Sequence, residues 1–219
     1  MAQSRKPLSS PGEHRNTGSP GGLLFIVSAP SGAGKSTLCS AVRRRLGGLA
    51  YSVSYTTRPP RKGERQAVEY HFISEAEFRR GIDQGRWAEW ASVHGNYYGT
   101  SARWIQETLN SGRDILLDID LQGARQMVRR FPDAVTIFIM PPSLSELERR
   151  LRQRAADSQQ DIDLRLKNAK DEIAQRNFCR HELINDDIGK AVQELVGLIE
   201  GYREGNPGGH FEGGYGAAE

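Results

Sequence analysis

The sequence predicts an α/β fold in three layers, a mainly parallel sheet between helices, interrupted by a β-rich insertion. Three observations carry that expectation. Apolar runs of strand length at residues 23–28, 115–120 and 134–140 alternate with polar, helix-length segments, and strands buried on both faces with helices between them belong to parallel sheets. A Gly-rich turn joins the first run to the first helical segment, as in a βα unit. Residues 52–100 differ in texture, mixing short β-prone pieces with Gly and aromatic side chains.

Taken in order, residues 23–28 form a strand and 34–46 a helix. Within the insertion, 51–55, 70–73 and 87–93 read as strands, and 75–84 as a helix begun by the capping-box spacing of Ser74 and Glu77. A helix at 101–112, the strand 115–120, a helix at 121–130 and the strand 134–140 return the chain to the core. After Pro141 and Pro142, Ser143 and Glu146 repeat the capping-box spacing and open a helix over 143–154. A polar helix at 161–175, a short strand near Leu183 and Ile184, and a helix over 187–202 complete the core. The predicted organisation is a tail at 1–20, one unit at 21–203 and a Gly-rich tail at 204–219. Inside the unit, the core takes 21–51, 101–142 and 168–203, the insertion 52–100, and a helical arm 143–167. Both tails lack hydrophobic periodicity and read as mobile.

A chain of 219 residues, 37% of them hydrophobic, suits one core with insertions. No apolar run approaches the roughly 18 residues of a membrane helix, and the first twenty residues lack a signal-type apolar stretch, so a cytoplasmic protein is expected. Cys39 and Cys179 are too few for a disulfide framework and read as reduced thiols. The net charge of +3, from 30 Lys and Arg against 27 Asp and Glu, says less than the positions of the arginines. No basic helix or aromatic-basic module stands apart, which argues against nucleic acid as a partner.

The turn after the first strand reads Ala29-Pro30-Ser31-Gly32-Ala33-Gly34-Lys35-Ser36-Thr37. Gly32 and Gly34 let successive backbone N–H groups face one phosphate, at the positive end of the following helix. Lys35 is placed to reach β- and γ-phosphates, and the Ser36 hydroxyl to join the ligands of Mg²⁺. The usual pattern begins with Gly where this chain has Ala29, which is tolerable if that residue does not need positive φ. Asp118 and Asp120 stand at the end of an apolar strand, at the sheet edge where open α/β sheets bind ligands. In the insertion, Arg58 and Arg61 sit in a Pro-stiffened turn ending at Glu64, with Tyr70 beyond; the planar fork of arginine suits phosphate oxygens. Glu89, between Trp87 and Trp90, and the segment Gly95-Asn96-Tyr97-Tyr98-Gly99-Thr100 add a carboxylate, hydroxyls and rings.

Together these segments resemble the guanylate kinase family, which transfers a phosphoryl group from ATP to GMP. The resemblance runs from about Leu23 to Tyr202 and includes Ile115 to Asp120 and Asn185-Asp186-Asp187. It implies a P-loop three-layer parallel sheet core, an inserted β-rich GMP-binding subdomain and a helical lid over 143–167. It further implies that Ala29 to Thr37 bind ATP with Mg²⁺ on Ser36, and that Asn185 lies near the adenine. Arg58, Arg61, Tyr70 and Tyr98 would hold the GMP phosphate, and Ser54, Glu89, Thr100 and Asp120 the guanine, with Glu64 and Asp118 in the same acceptor site. Lys35, Arg58, Arg154 and Arg165 would be the catalytic cations. Guanine presents adjacent N1–H and N2–H donors that one carboxylate accepts side by side, whereas adenine would leave that carboxylate unpaired. The chain departs from the family at Ala29 and at Ala155, where Gly usually follows the first lid arginine.

Arginine is dense from Arg149 to Arg165, and helical pairing with acidic neighbours accounts for part of it. Two other functions use the same parts. A same-fold kinase for a sugar phosphate or another monophosphate would not need Ser54, Glu89 and Thr100 together; a non-catalytic phospho-ligand module would not need Lys35 and the lid arginines. The expected activity is GMP phosphorylation, extending to dGMP, in purine metabolism, with ATP and GMP as partners, no membrane and an oligomeric state left open.

Overall fold

The computed structural model describes residues 21–93, 95–153 and 158–205. The expected tails and the lid segment Arg154 to Asp157 therefore fall outside the described residues, apart from Glu204 and Gly205.

Strands β1 (Leu24–Ser28), β6 (Ile115–Asp118), β7 (Val135–Met140) and β8 (His181–Ile184) form a parallel sheet in the order β6-β1-β7-β8. Its two faces explain the continuous apolar runs. Phe25 and Val27 face one side, with Leu116, Ile137 and Ile139, against helices α1 (Lys35–Arg45) and α7 (Ile188–Arg203). Leu24 and Ile26 face the other, with Ile115 and Leu117, against α3 (Ala102–Asn110) and α4 (Leu121–Arg130). Side chains alternate along a strand, so a strand covered on both sides has no polar face to show. Both cysteines are free, Cys39 buried and Cys179 half-buried.

The insertion forms a second sheet, β3-β2-β5-β4, from β2 (Tyr55–Thr56), β3 (His71–Phe72), β4 (Trp87–Val93) and β5 (Asn96–Ser101), with helix α2 (Glu75–Asp83) against it. The expected strand at 51–55 is shifted: Ala50 bridges to Ile115 in the core sheet, and the insertion strand begins at Tyr55. Strand β5, not expected from the sequence, runs through Gly99, which pairs with Tyr55 on one side and Trp90 on the other. Phe78 of α2 fills the space a Gly99 side chain would need, and its ring stacks on Trp87 and Tyr97.

Two contacts fasten the insertion to the core. Gln126 of α4 accepts from the Trp90 N–H at 3.1 Å and donates to its carbonyl at 2.9 Å, completing a strand edge, and Arg130 donates to the Trp87 carbonyl. Helices α5 (Leu144–Gln153) and α6 (Gln159–Ala174) pack on each other through Leu147, Leu151, Ile162 and Ala169. Helix α6 begins earlier than the polar pattern suggests, because Ser158 and Asp161 form a reciprocal capping box that the polar sequence disguised.

Candidate active site

The turn between β1 and α1 has the geometry its sequence requires. Gly32 and Gly34 have φ of 97° and 91°, where a Cβ would be strained. Ala29 has no such demand, and its methyl is buried in the core, which accounts for the departure from Gly. No side chain caps α1, whose first turn carries no acidic residue. Its N–H groups thus face the turn with the dipole uncompensated by protein.

Lys35 reaches from α1 to the end of β6. Its Nζ lies 2.6 Å from Asp118 and donates to the Ile119 carbonyl at 2.7 Å, with side chains only 19% and 12% exposed for the ion pair. Asp118 therefore faces the phosphate-loop lysine as well as the insertion. Two residues on, Asp120 does not extend the strand, as the apolar pattern predicted; it caps α4 by accepting from the Gly123 N–H at 2.6 Å. The strand ends at Asp118 because the carboxylate at Asp120 satisfies a helix donor that no strand partner would.

Across from these aspartates stands Glu89. A register shift in β4 between Trp87 and Glu89 brings Glu89 opposite Thr100 of β5, and bulges of this kind re-aim side chains near functional sites. The Thr100 hydroxyl donates to Glu89 Oε1 at 2.6 Å, and both residues are buried, at 1% and 7% exposure. The other oxygen, Oε2, occupies space beside Gly123 that a side chain there would invade. Burial pushes the Glu89 carboxyl up to about 7, against the opposing effect of the Thr100 hydrogen bond. Ser54, Tyr70, Glu89, Tyr98, Asp118 and Asp120 line one cavity of about 340 Å³.

The basic turn borders that cavity. Arg58 makes a two-pronged contact with Glu64 at 2.9 and 3.0 Å, and its guanidinium lies 5.5 Å from the Tyr70 ring centre. Glu64 also accepts from the Arg61 backbone N–H at 2.7 Å, so this carboxylate shapes the turn that carries both arginines. Those two donors, Arg58 first, hold the Glu64 carboxyl below its usual range. Glu64, then Tyr98, raise the Arg58 pKa. The Arg61 side chain is exposed.

The lid arginines divide. Arg149 and Arg150 both bind Glu146, and Arg152 binds Glu148, as helical spacing alone predicts. Arg165 instead crosses from α6 to Ser31 in the phosphate loop, at 3.2 Å. Arg154 lies outside the described residues.

Asn185 is neither a helix cap nor open to the cleft. Asp187 caps α7, while the Asn185 amide, 4% exposed, donates to the Ala33 carbonyl at 2.7 Å beneath the loop. Its backbone is held from both sides, by Met140 and Arg150. Replacing Asn185 with Ala leaves a buried carbonyl without its donor, so a loss of about 1–3 kcal/mol in folding stability is expected. Urea denaturation measures it, and an unchanged midpoint would show that Asn185 does not secure the loop.

Sequence reasoning missed Gly123, Gln126 and Glu172. Glu172, on α6 seven residues after Arg165, shares a second cavity of about 380 Å³ with Asp120, Asn168 and Asp171. Helical spacing from Arg165 was the available signal.

A phosphate loop on a parallel sheet, facing a cavity in an inserted sheet, defines a P-loop nucleoside monophosphate kinase fold. The guanylate kinase family model matches residues 22–202. The chain is 50% identical over 182 residues to guanylate kinase of Aromatoleum aromaticum, covering 83% of this chain and 89% of that one. It is 49% identical over 178 residues to that of Geobacter metallireducens, covering 81% and 88%. The crystal structure of guanylate kinase from Anaplasma phagocytophilum superposes with a TM-score of 0.65 at 31% identity, covering 84% of this chain and 87% of that chain. This chain belongs to the guanylate kinase family. No helix among the described residues is long and apolar enough to cross a membrane.

Proposed function

We propose that the chain transfers the γ-phosphoryl group of ATP to GMP by direct in-line displacement. The observation that carries this reading is the buried Glu89, held by Thr100 and lining the same cavity as Asp118, the partner of the phosphate-loop lysine. In this reading guanine sits on Glu89, Thr100, Ser54 and Asp120. Its N1–H and N2–H supply the donors that a buried carboxylate needs, and its O6 accepts from a hydroxyl. Arg58, Arg61, Tyr70 and Tyr98 take the GMP phosphate, and Glu64 holds the two arginines in one turn. The phosphates of ATP bind the N–H groups from Ala29 to Thr37.

Lys35 then leaves Asp118 for the β- and γ-phosphates. Arg165, already at the phosphate loop, and Arg154 offset charge on the transferring group as the lid excludes water. Catalysis is positioning and electrostatics, without a covalent enzyme intermediate.

The residues fit Mg²⁺ brought in with ATP. Ser36 is exposed at the first turn of α1, and the described residues contain no group of three His, Cys, Asp or Glu able to hold a metal ion. One hydroxyl completed by phosphate oxygens and water suits this ion. When bound, Mg²⁺ would be held on the protein side by Ser36 and would supply charge neutralisation at the phosphates.

A coupled assay of ADP release comparing GMP, AMP, UMP and CMP as acceptors tests the reading. Turnover with GMP well above the other three is expected; faster turnover with AMP, or none with GMP, would overturn it. Removal of Arg58 takes away a phosphate contact and charge compensation together, so Arg58→Ala should lower kcat/KM for GMP by about 10²-fold or more. The Arg58 and Glu64 side chains are only 13% and 19% exposed, so the variant should also melt somewhat lower than the native chain, because Glu64 loses its partner. Full activity in the purified variant would remove Arg58 from this role.

A further inference from the structure

We propose that Glu172 is a further residue of the acceptor site, accepting a hydrogen bond from a ribose hydroxyl of the bound nucleoside monophosphate. The inference rests on the GMP reading above and adds the sugar to it. Arg165, Asn168 and Glu172 are three and seven residues apart, so they share one face of α6. At one end of that face Arg165 reaches Ser31 in the phosphate loop. At the other, Asn168 and Glu172 line a cavity with Asp120, the residue that also borders the cavity containing Glu89. The charged groups that act on Glu172 are Asp120 and Lys35, which belong to the base side and the phosphate side of the cleft.

Glu172 Oε2 is shielded from solvent and has no hydrogen-bond partner among the described residues. Burial, reinforced by Asp120 and opposed by Lys35, pushes its carboxyl up to about 7. Buried carboxylate oxygens are rarely left without a donor, and an orphan inside a cleft points to one supplied by a ligand. A nucleotide offers few suitable donors. Phosphate oxygens and guanine O6 are acceptors that a carboxylate repels, and the base N–H groups face Glu89. A sugar lying between a base on Glu89 and a phosphate near Arg58 carries hydroxyl donors into the space beside Asp120. Glu172 is thus the group that would make the site sensitive to a missing hydroxyl.

Steady-state kinetics with GMP, 2′-deoxy-GMP and 3′-deoxy-GMP on the native chain, Glu172→Gln and Glu172→Ala test this. Glu172→Ala should raise the KM for GMP by about tenfold, as expected for a lost hydrogen bond to a charged group, and Glu172→Gln by less, because its amide oxygen still accepts, each with little change in kcat. For the analogue lacking the contacted hydroxyl, KM should be nearly the same in native and variant chains, a coupling that a structural role would not produce. An unchanged KM for GMP, or equal rises for GMP and both analogues, would overturn the proposal. Absence of GMP turnover in the native chain would instead overturn the reading beneath it. Glu172→Ala should melt no lower than the native chain, since an unpartnered buried oxygen is removed; lower melting of this variant would assign Glu172 to the scaffold and overturn its ligand role.

Discussion

Lys35→Ala is expected to lower kcat by about 10³-fold or more, with a much smaller change in the KM for GMP. The distinction follows from position: Lys35 stands at the phosphate loop, away from the Glu89–Thr100 pair proposed to bind the base. An interaction that strengthens as charge develops in the transition state acts on kcat, whereas one made equally with bound substrate acts on KM. The sequence alone suggests that this substitution costs little stability. The ion pair with Asp118 revises that, because removal of Lys35 strands a mostly buried carboxylate. A loss of about 1–3 kcal/mol is expected, recovered in part by adding Asp118→Asn. Single-turnover kinetics with saturating ATP, alongside urea denaturation, separate the two effects. A variant that retains native kcat would remove Lys35 from the chemistry.

Glu89→Gln should abolish most of the preference for guanine. A carboxylate accepts from two adjacent N–H donors, whereas an amide accepts with one atom and presents N–H to the other. Sites of the first kind discriminate by roughly 10⁴-fold, and the ratio of kcat/KM for GMP over AMP should fall by about 10²-fold or more in the variant. Native kcat/KM ratios in Glu89→Gln would exclude Glu89 as the reader of the base.

The same residue predicts a pH dependence. Burial pushes its carboxyl up from the ordinary value of 4.5 to about 7. Only the ionised form accepts both guanine donors, so the KM for GMP should rise as pH falls below about 7, and this limb should flatten in Glu89→Gln. Stability follows the opposite course. Between pH 4.5 and 7 the folded chain holds a proton on Glu89 that the unfolded chain has released, so Glu89's contribution is full below that window and is lost as pH rises through it. Melting curves across pH 5 to 8 for native chain and Glu89→Gln isolate the term.

The core was legible because each of its strands is covered on both faces. Leu24 to Ser28 and Val135 to Met140 are nearly unbroken apolar runs for that reason. The insertion was less legible. Strands β2 and β3 are two residues each, and β5, paired to β4 and β2, carries a Gly99 whose face is covered by Phe78 from 21 residues away, which breaks the β-prone pattern. Lid arginines show a related limit. Arg149, Arg150, Arg152 and Arg165 look alike in a list of cations, but the first three have acidic partners on their own helix, and Arg165 extends to the phosphate loop.

Asn185 marks the boundary most plainly. Its neighbour Asp187 caps α7, and Asn185 itself supports Ala33 from 152 residues away. By itself the sequence determined the phosphate loop, the parallel core and the presence of an arginine–carboxylate–hydroxyl set, because backbone φ, continuous hydrophobic runs and side-chain chemistry are local properties. Only the tertiary structure decided that Asp118 partners Lys35, that a bulge turns Glu89 onto Thr100, and that Glu172 is left with an unsatisfied oxygen. The first and third depend on elements far apart in the chain coming together, and the second on a one-residue irregularity in the pairing of neighbouring strands; no local pattern specifies either.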